Sequence, residues 1–324
     1  TKIVAVTHCS NIVGTVNNLK KISELAHQKN AIVIGDGVSF APHGFPDVKE
    51  LDVDFYTFSL YKTFGPHIAL LYGKEEILKK LPNQNHEFLE NQYPYTINPG
   101  GPNHEELASC IGIYKYFMDL YDHHFNQNSN SVTKKISKLN KIISDHEENI
   151  ANPILEYISK RKDLILFGKD KIQNKNRAPT ISFISNKISS KELSSKLIKN
   201  KIATRNDNFY AWRCLNSLGI DPEDGVVRLS LTHYNTSQDT NLAIKISRSI
   251  ISPAEMLVRF LRNDWRGALP LITTFLFILV LHQTDNADLM LGLLANKYTL
   301  SGIGLAFVWL AFSTLFVERN MEGR

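Results

Sequence analysis

The sequence predicts an α/β fold: a mainly parallel sheet covered by helices, followed by a smaller α+β domain and an apolar tail. Three observations predict it. Strand-like and helix-like segments alternate over residues 1–125, the order expected of a parallel sheet with helical crossovers. Residues 152–251 mix both types over a short length, and after residue 252 long uncharged stretches take over. Apolar residues make up 43% and charged residues 21% of the 324, ordinary globular usage that excludes wholesale disorder.

The first strand is the β-branched run Ile3–Val6. Asn18–Gln28 places Leu19, Ile22, Leu25 and Ala26 at helical spacing. Ala31–Ile34 and Phe55–Phe58 are further buried strands, Ile68–Tyr72 a fourth, and Glu75–Leu81 a helix. Residues 94–102 (PYTINPGGP) are a loop by composition, and Glu105–Leu120 is a long helix. Residues 126–151 are assigned to a linking helix, centred on 131–149, between two lobes. In the second lobe, 152–251, the strands are Leu164–Phe167, Thr180–Ile184 and Val226–Leu231, and the helices are Lys191–Lys199 and Thr240–Ile250.

Residues 252–324 differ in character. Residues 267–281 are 15 without a charge, and residues 300–317 are 18 without a charge; a span needs about 20 apolar residues. They read as a membrane hairpin. Arg259, Arg262 and Arg266 precede it and Arg319 and Arg324 follow it, so both flanks, and the catalytic part with them, are expected on the cytoplasmic side. A buried helix pair and a merger of two neighbouring genes are the other readings of this tail.

Lys plus Arg exceed Asp plus Glu by 37 to 32, too small a surplus for a nucleic-acid partner without a dense basic run. The three cysteines, Cys9, Cys110 and Cys214, form no CxxC pair and lie far apart, so neither a disulfide framework nor a zinc site is expected. His104-Glu105 has no second His at metalloprotease spacing, and His123-His124 reads as a solvated pair. His43 and His67, each after a proline, fall in or beside the stretch from Asp36 to Pro66 and read as packing residues near it.

The stretch from Asp36 to Pro66 carries chemistry. Asp36 ends a buried strand, where open α/β sheets bind ligands. Lys62 follows another strand, with Gly65 and Pro66 tightening the turn. A partly desolvated lysine can form a Schiff base, and an acid at a strand end can hold a protonated pyridine nitrogen. Pyridoxal phosphate requires that pair. A surface lysine and a strand-capping aspartate are the plainer reading of the same two residues.

Six segments narrow the choice: THCSNIVGT (7–15), GDGVSFAPHGFPDV (35–48), DFYTFSLYKTFGPH (54–67), NPGGPNHEELA (98–108), TRNDNFYAWR (204–213) and GVVRLSLTHYNT (225–236). In this order they resemble the class V aminotransferases, in the cysteine desulfurase-like branch of the fold-type I pyridoxal-phosphate enzymes, over residues 2 to about 251. The resemblance implies a PLP-transferase large domain, in part, with a small α+β domain. It implies pyridoxal 5'-phosphate as cofactor, a small amino acid as substrate and a homodimer whose sites lie at the subunit interface.

Residue by residue, Lys62 resembles the aldimine lysine and Asp36 the acid on the pyridine nitrogen. Asn11 falls beside the cofactor's phenolic oxygen. Ser59 and Tyr61 match the phosphate-contacting pair, Tyr61 standing where His is commoner. Arg228 matches the arginine that clamps the α-carboxylate, and Arg205 lies in the same substrate region. Ser39 replaces a longer Gln or His near the phenolic oxygen. Gly100-Gly101 replaces a Gly-Thr pair that reaches the neighbouring subunit's phosphate, leaving the Gly101 backbone for that contact.

Two departures bear on function. The loop after Arg205 lacks the desulfurase cysteine; Cys214, five residues past Phe209, and Cys9 are expected to be packed thiols. In the family a segment ahead of the THCSN-like motif supplies a helix N-terminus for the phosphate and a ring-stacking residue. The chain therefore reads as the lysine half of the site, either a piece of a longer product or a truncated relative. The expected function is amino-acid chemistry of the cysteine desulfurase, selenocysteine lyase or related class V type. The rival is an inactive, membrane-tethered remnant that acts only as a binding module.

Overall fold

A computed structural model describes residues 1–92, 95–98, 100–125 and 131–250. The chain divides into units Thr1–Arg248 and Ser249–Arg324. The expected hairpin, with its stretches at 267–281 and 300–317, lies outside the described residues. Among the described residues no helix is long and apolar enough to cross a membrane.

The first sheet has the order β1-β2-β3-β4, formed by Ile3–Thr7, Ile32–Asp36, Phe55–Ser59 and Ala69–Gly73. The first three strands are parallel and β4 runs antiparallel to β3. The connection explains the reversal: only residues 60–68 separate β3 from β4, whereas a parallel return needs about a dozen residues or more. Helix α1, Leu19–His27, starts where Asn18 accepts from the Lys21 N–H at 3.0 Å, an N-cap of the preferred type.

One face of this sheet is packed. Val33, Tyr56 and Phe58 meet Leu19 and Ala26 of α1, with Ile113, Phe117, Leu139 and Ile143 in the same core. The other face is open, with Ile3 56% and Leu71 55% exposed. Buried Asp54 fastens the edges together. It accepts from the Val33 N–H at 2.7 Å and His27 Nε2 at 2.9 Å, and pairs with Lys74 Nζ at 3.0 Å. Burial alone would raise its carboxyl, yet these three donors hold it below the ordinary carboxylate value.

The helix expected over 105–120 is two, α4 (His104–Ser109) and α5 (Ile111–His124), joined at Cys110. Helix α6 is longer than expected. It runs Val132–Ser159 straight through Pro153, because a buried stripe including Leu139, Ile143, Ile150, Ile154, Leu155 and Ile158 outweighs the missing N–H at the proline. The expected linker and the start of the small lobe are therefore one element.

The second sheet has the order β5-β6-β8-β7, with Leu164–Phe167, Thr180–Ser185, Val226–Ser230 and Arg205–Asp207, all antiparallel. Helices α7 (Ser190–Lys199), α8 (Trp212–Ser217) and α9 (Ser237–Ile250) accompany it. Thr236 and Asp239 exchange backbone–side-chain bonds at 2.8 and 3.3 Å ahead of α9, the reciprocal pattern of a capping box.

The two lobes meet along the segment after β1. Ala178 N–H donates to Gly14 O at 2.7 Å, and Val16 N–H to Asn176 O at 3.1 Å. Gly14 has φ +67, and a Cβ there would lie 2.8 Å from Thr180 O, so both backbone angle and space require glycine.

Candidate active site

Strands β1, β2 and β3 are parallel and all finish on one edge, at Thr7, Asp36 and Ser59. The segments leaving that edge carry His8 to Asn11, Asp36 to Ser39, and Leu60 to Lys62. This is the carboxyl edge at which α/β sheets collect ligands.

Asp36 is exposed, and its Oδ1 accepts from the Val38 N–H at 2.9 Å. That bond fixes the carboxylate while leaving its other oxygen for a partner. Beneath it lies a dry platform. His8 Nδ1 is 2.8 Å from the Tyr56 hydroxyl, and His8 stacks on Phe40 with centroids 3.8 Å apart. Burial lowers the His8 pKa to about 4 and raises that of Tyr56. The imidazole is therefore neutral near pH 7 and shares a hydrogen bond with the phenol. A Cβ on Gly37 would fall 2.2 Å from the Tyr56 ring, which explains the glycine after Asp36. Ser39 follows in the same turn, half-buried.

Lys62 sits in a single 3-10 turn, Leu60–Thr63, that continues β3. Thr63 Oγ1 donates to Leu60 O at 3.0 Å, the Gly65 N–H donates to the same carbonyl at 3.0 Å, and the Leu60 N–H donates to Ile68 O at 2.8 Å. Phe64 closes the turn at φ +68. A Cβ on Gly65 would lie 2.3 Å from Ile113 Cδ1, so the turn presses directly on α5. Lys62 itself is half-buried and takes no carboxylate partner among the described residues. Ser59, half-buried, ends the strand. Exposed Tyr61 stacks on His67 with centroids 4.7 Å apart and planes 8° apart, so His67 packs beside the lysine turn.

The second lobe brings in the arginines. Arg205 and Arg228 are directly opposed in the β7–β8 pair. Arg205 pairs with Asp207 at 2.6 Å. Arg228 donates from Nη1 to Asn11 O at 3.1 Å, and its guanidinium lies 3.6 Å from the centroid of the Phe209 ring. Burial first, and the Arg205 charge second, lower its pKa. Asn11 Nδ2 in turn donates to Phe209 O at 2.8 Å, so Asn11 joins both lobes. Like charges opposed across a ladder repel, an arrangement relieved by an anion between them.

Other expectations separate from this cluster. Gly101 is exposed, with nothing within 4 Å of where a Cβ would be. Cys9 is fully buried, its thiol pushed up to about 12 by burial, as a packed thiol should be. Cys214 lies in α8, half-buried. His43 Nδ1 meets buried Glu147 Oε1 at 3.0 Å beside a cavity of about 780 Å³. That cavity includes none of Lys62, Asp36 and Arg228 in its lining. Phe209 went unnoticed in the sequence, where only its place four residues after Arg205 marks it.

Comparison with known proteins gives this geometry a family. The aminotransferase class-V family model matches residues 1–242. The aminotransferase-like protein FGM3 of Gibberella zeae is 33% identical over 248 residues, covering 75% of this chain and 58% of that protein. The cysteine desulfurase-like protein ustD of Aspergillus flavus is 29% identical, covering 74% and 52%. A probable cysteine desulfurase of Halalkalibacterium halodurans is 28% identical, covering 76% and 57%. The chain thus spans between about half and three-fifths of the length of these relatives.

Among solved structures, cysteine desulfurase CsdA of Escherichia coli superposes with a TM-score of 0.61 at 23% identity, over 77% of this chain and 59% of that one. An apo cysteine desulfurase of Thermococcus onnurineus NA1 gives 0.64 at 21% identity, over 78% and 60%. These likenesses show a shared α/β fold, that of the cysteine desulfurases. With a family model across three-quarters of its length and a relative at one-third identity, the chain belongs to the aminotransferase class-V family.

Proposed function

We propose that the chain performs pyridoxal-phosphate chemistry at the α-amino carbon of a small amino acid, with Lys62 as the covalent attachment point. Members of this family are typically pyridoxal-phosphate-dependent. The residues of the β-strand edge fit that group: an amine without a carboxylate partner among the described residues, a carboxylate with one oxygen unspent, and hydroxyls at Ser59 and Tyr61; the second sheet adds two guanidinium groups. The observation that carries the reading is Lys62, without a carboxylate partner among the described residues, on the same sheet edge as Asp36.

When bound, the cofactor supplies an electron sink for charge developing at the substrate Cα. Lys62 would hold the group through its amine, and the same amine would carry the proton to and from the substrate Cα. Asp36 would accept a hydrogen bond from the protonated ring nitrogen and so favour the cationic ring. Ser59 Oγ and the Tyr61 hydroxyl would donate to the phosphate, and Asn11 and Ser39 would serve the phenolic oxygen. Arg228, with Arg205, holds the substrate carboxylate. In a homodimer the Gly101 backbone N–H would serve the phosphate held by the second subunit.

The loop Arg205-Asn206-Asp207-Asn208-Phe209 carries no thiol to accept sulfur. The activity we infer is accordingly of the lyase type on cysteine or selenocysteine, or a related class V reaction, without a cysteine-borne persulfide. Incubation of the full chain with pyridoxal phosphate, borohydride reduction and peptide mass spectrometry should tag the peptide containing Lys62. Lys62→Ala should remove the tag. Absence of a tag in the wild-type chain, or an equal tag in Lys62→Ala, overturns the reading.

A further inference from the structure

We propose that Phe209 is a positioning residue that fixes the Arg228 guanidinium for a carboxylate ligand. The inference deepens the function above and rests on it for the identity of the carboxylate, that of an amino-acid substrate.

The geometry is a closed circuit of three residues. The Arg228 guanidinium lies over the Phe209 ring, 3.6 Å from Cζ to centroid. The Phe209 carbonyl accepts from Asn11 Nδ2 at 2.8 Å, and the Asn11 carbonyl accepts from Arg228 Nη1 at 3.1 Å. Each residue holds the next, and the circuit joins β8, the loop after β7 and the segment after β1. One guanidinium edge is committed to Asn11 and one face to the ring. The remaining N–H groups keep the planar fork that matches a carboxylate.

The loop is held against its own preference. Phe209 and Tyr210 are consecutive non-glycine residues at φ +51 and +62, the left-handed region that bulky side chains avoid. The Asn208 side chain supports the bend by accepting from the Tyr210 N–H at 3.0 Å. Gly225 permits the close approach, since a Cβ there would lie 2.3 Å from Asp207 carbonyl atoms. The result is selective: Phe209 is buried while Tyr210 stands fully in solvent. Strain of this sort persists where surrounding contacts over-determine it, and here those contacts converge on Arg228.

Charge gives the same answer. Arg205, 6.0 Å from the same ring, already has Asp207. Arg228 faces Arg205 in register and has no carboxylate within ion-pair distance among the described residues. An aromatic face attracts the cation without neutralising it, which leaves its full charge for a ligand.

The test reads the arginine directly and needs no cofactor. In the full chain, the Arg228 Nε–H resonance, identified by its loss in Arg228→Lys, should be displaced upfield by the ring and should shift on titration with sodium acetate. Phe209→Leu keeps an apolar side chain but removes the aromatic face; it should abolish the upfield displacement and weaken acetate binding about five-fold. Phe209→Tyr should restore both. A normal Arg228 shift in the wild-type chain overturns the proposal, whether or not the leucine variant folds. So does equal acetate affinity in Phe209→Leu. The borohydride tag on Lys62 is independent: a tag with unchanged acetate binding sinks this inference alone, whereas no tag with weakened binding sinks the cofactor reading alone.

Discussion

In the second sheet, Thr180, Ile181, Ser182 and Phe183 are buried one after another along β6, so both faces of that strand are covered. In the first sheet, Val33, Tyr56 and Phe58 are buried on one face while Ile3 and Leu71 stand more than half exposed on the other. The register places Asp36 on that open face, level with Thr7, Thr57 and Leu71. Parallel strands ordinarily have both faces covered. The open sheet carries the residues proposed to meet the cofactor, and the closed sheet carries the arginines. Among the described residues, one lobe holds Arg228 against Phe209 and Asn11, and the other carries a carboxylate and an amine at a strand edge.

The contrast can be broken in order of expected size. Phe183→Ala, in the closed sheet at 1% exposure, should cost about 3–5 kcal/mol by urea denaturation. A cost near zero would mean that β6 is not sealed on both sides. Asp54→Ala should cost about 3 kcal/mol near pH 7, because Lys74 and the Val33 N–H lose a buried partner. The Asp54 carboxyl is depressed in the fold, so its contribution is present above the unfolded value of about 3.9. It should be lost as pH falls through the folded value, and wild type and variant should converge in strong acid.

His8 works at milder pH. Its folded pKa, about 4, lies below the unfolded value of about 6.5, so the unfolded chain binds more protons between these limits. Stability contributed by neutral His8 is full above about 6.5 and should fall with acid by up to about 1.4 kcal/mol per pH unit. His8→Phe should remove that slope, as measured by urea midpoints at pH 7 and 5. Last, Leu71→Ala on the open face should change stability by no more than about 0.5 kcal/mol; a loss like that of Phe183→Ala would show the face to be covered.

Much of this was legible from residues alone, and the exceptions share a cause. Ile3–Val6 and Phe55–Phe58 announce strands because their apolar side chains are continuous. Asp36 and Lys62 stand out because each follows such a run. Strand β7, Arg205–Asp207, gave no signal: three polar residues are extended only because Val226–Arg228 pairs with them. The helix through Pro153 was hidden for the same reason, since its burial against the rest of the core overrides a local breaker. The reversal of β4 was within reach, because the link of residues 60–68 is too short to cross the sheet.

By itself, then, the sequence determined the alternation of strands and helices, the acid and amine at strand ends, and the order of motifs that marks the family. These depend on spacing and on side-chain type over a few residues. Only the tertiary structure decided that one sheet keeps an open face, that Asn11 bridges the lobes and that the Phe209 ring lies on Arg228. Those contacts join residues far apart in the chain, and their geometry depends on a left-handed bend held in place by its neighbours, which no local pattern of letters encodes.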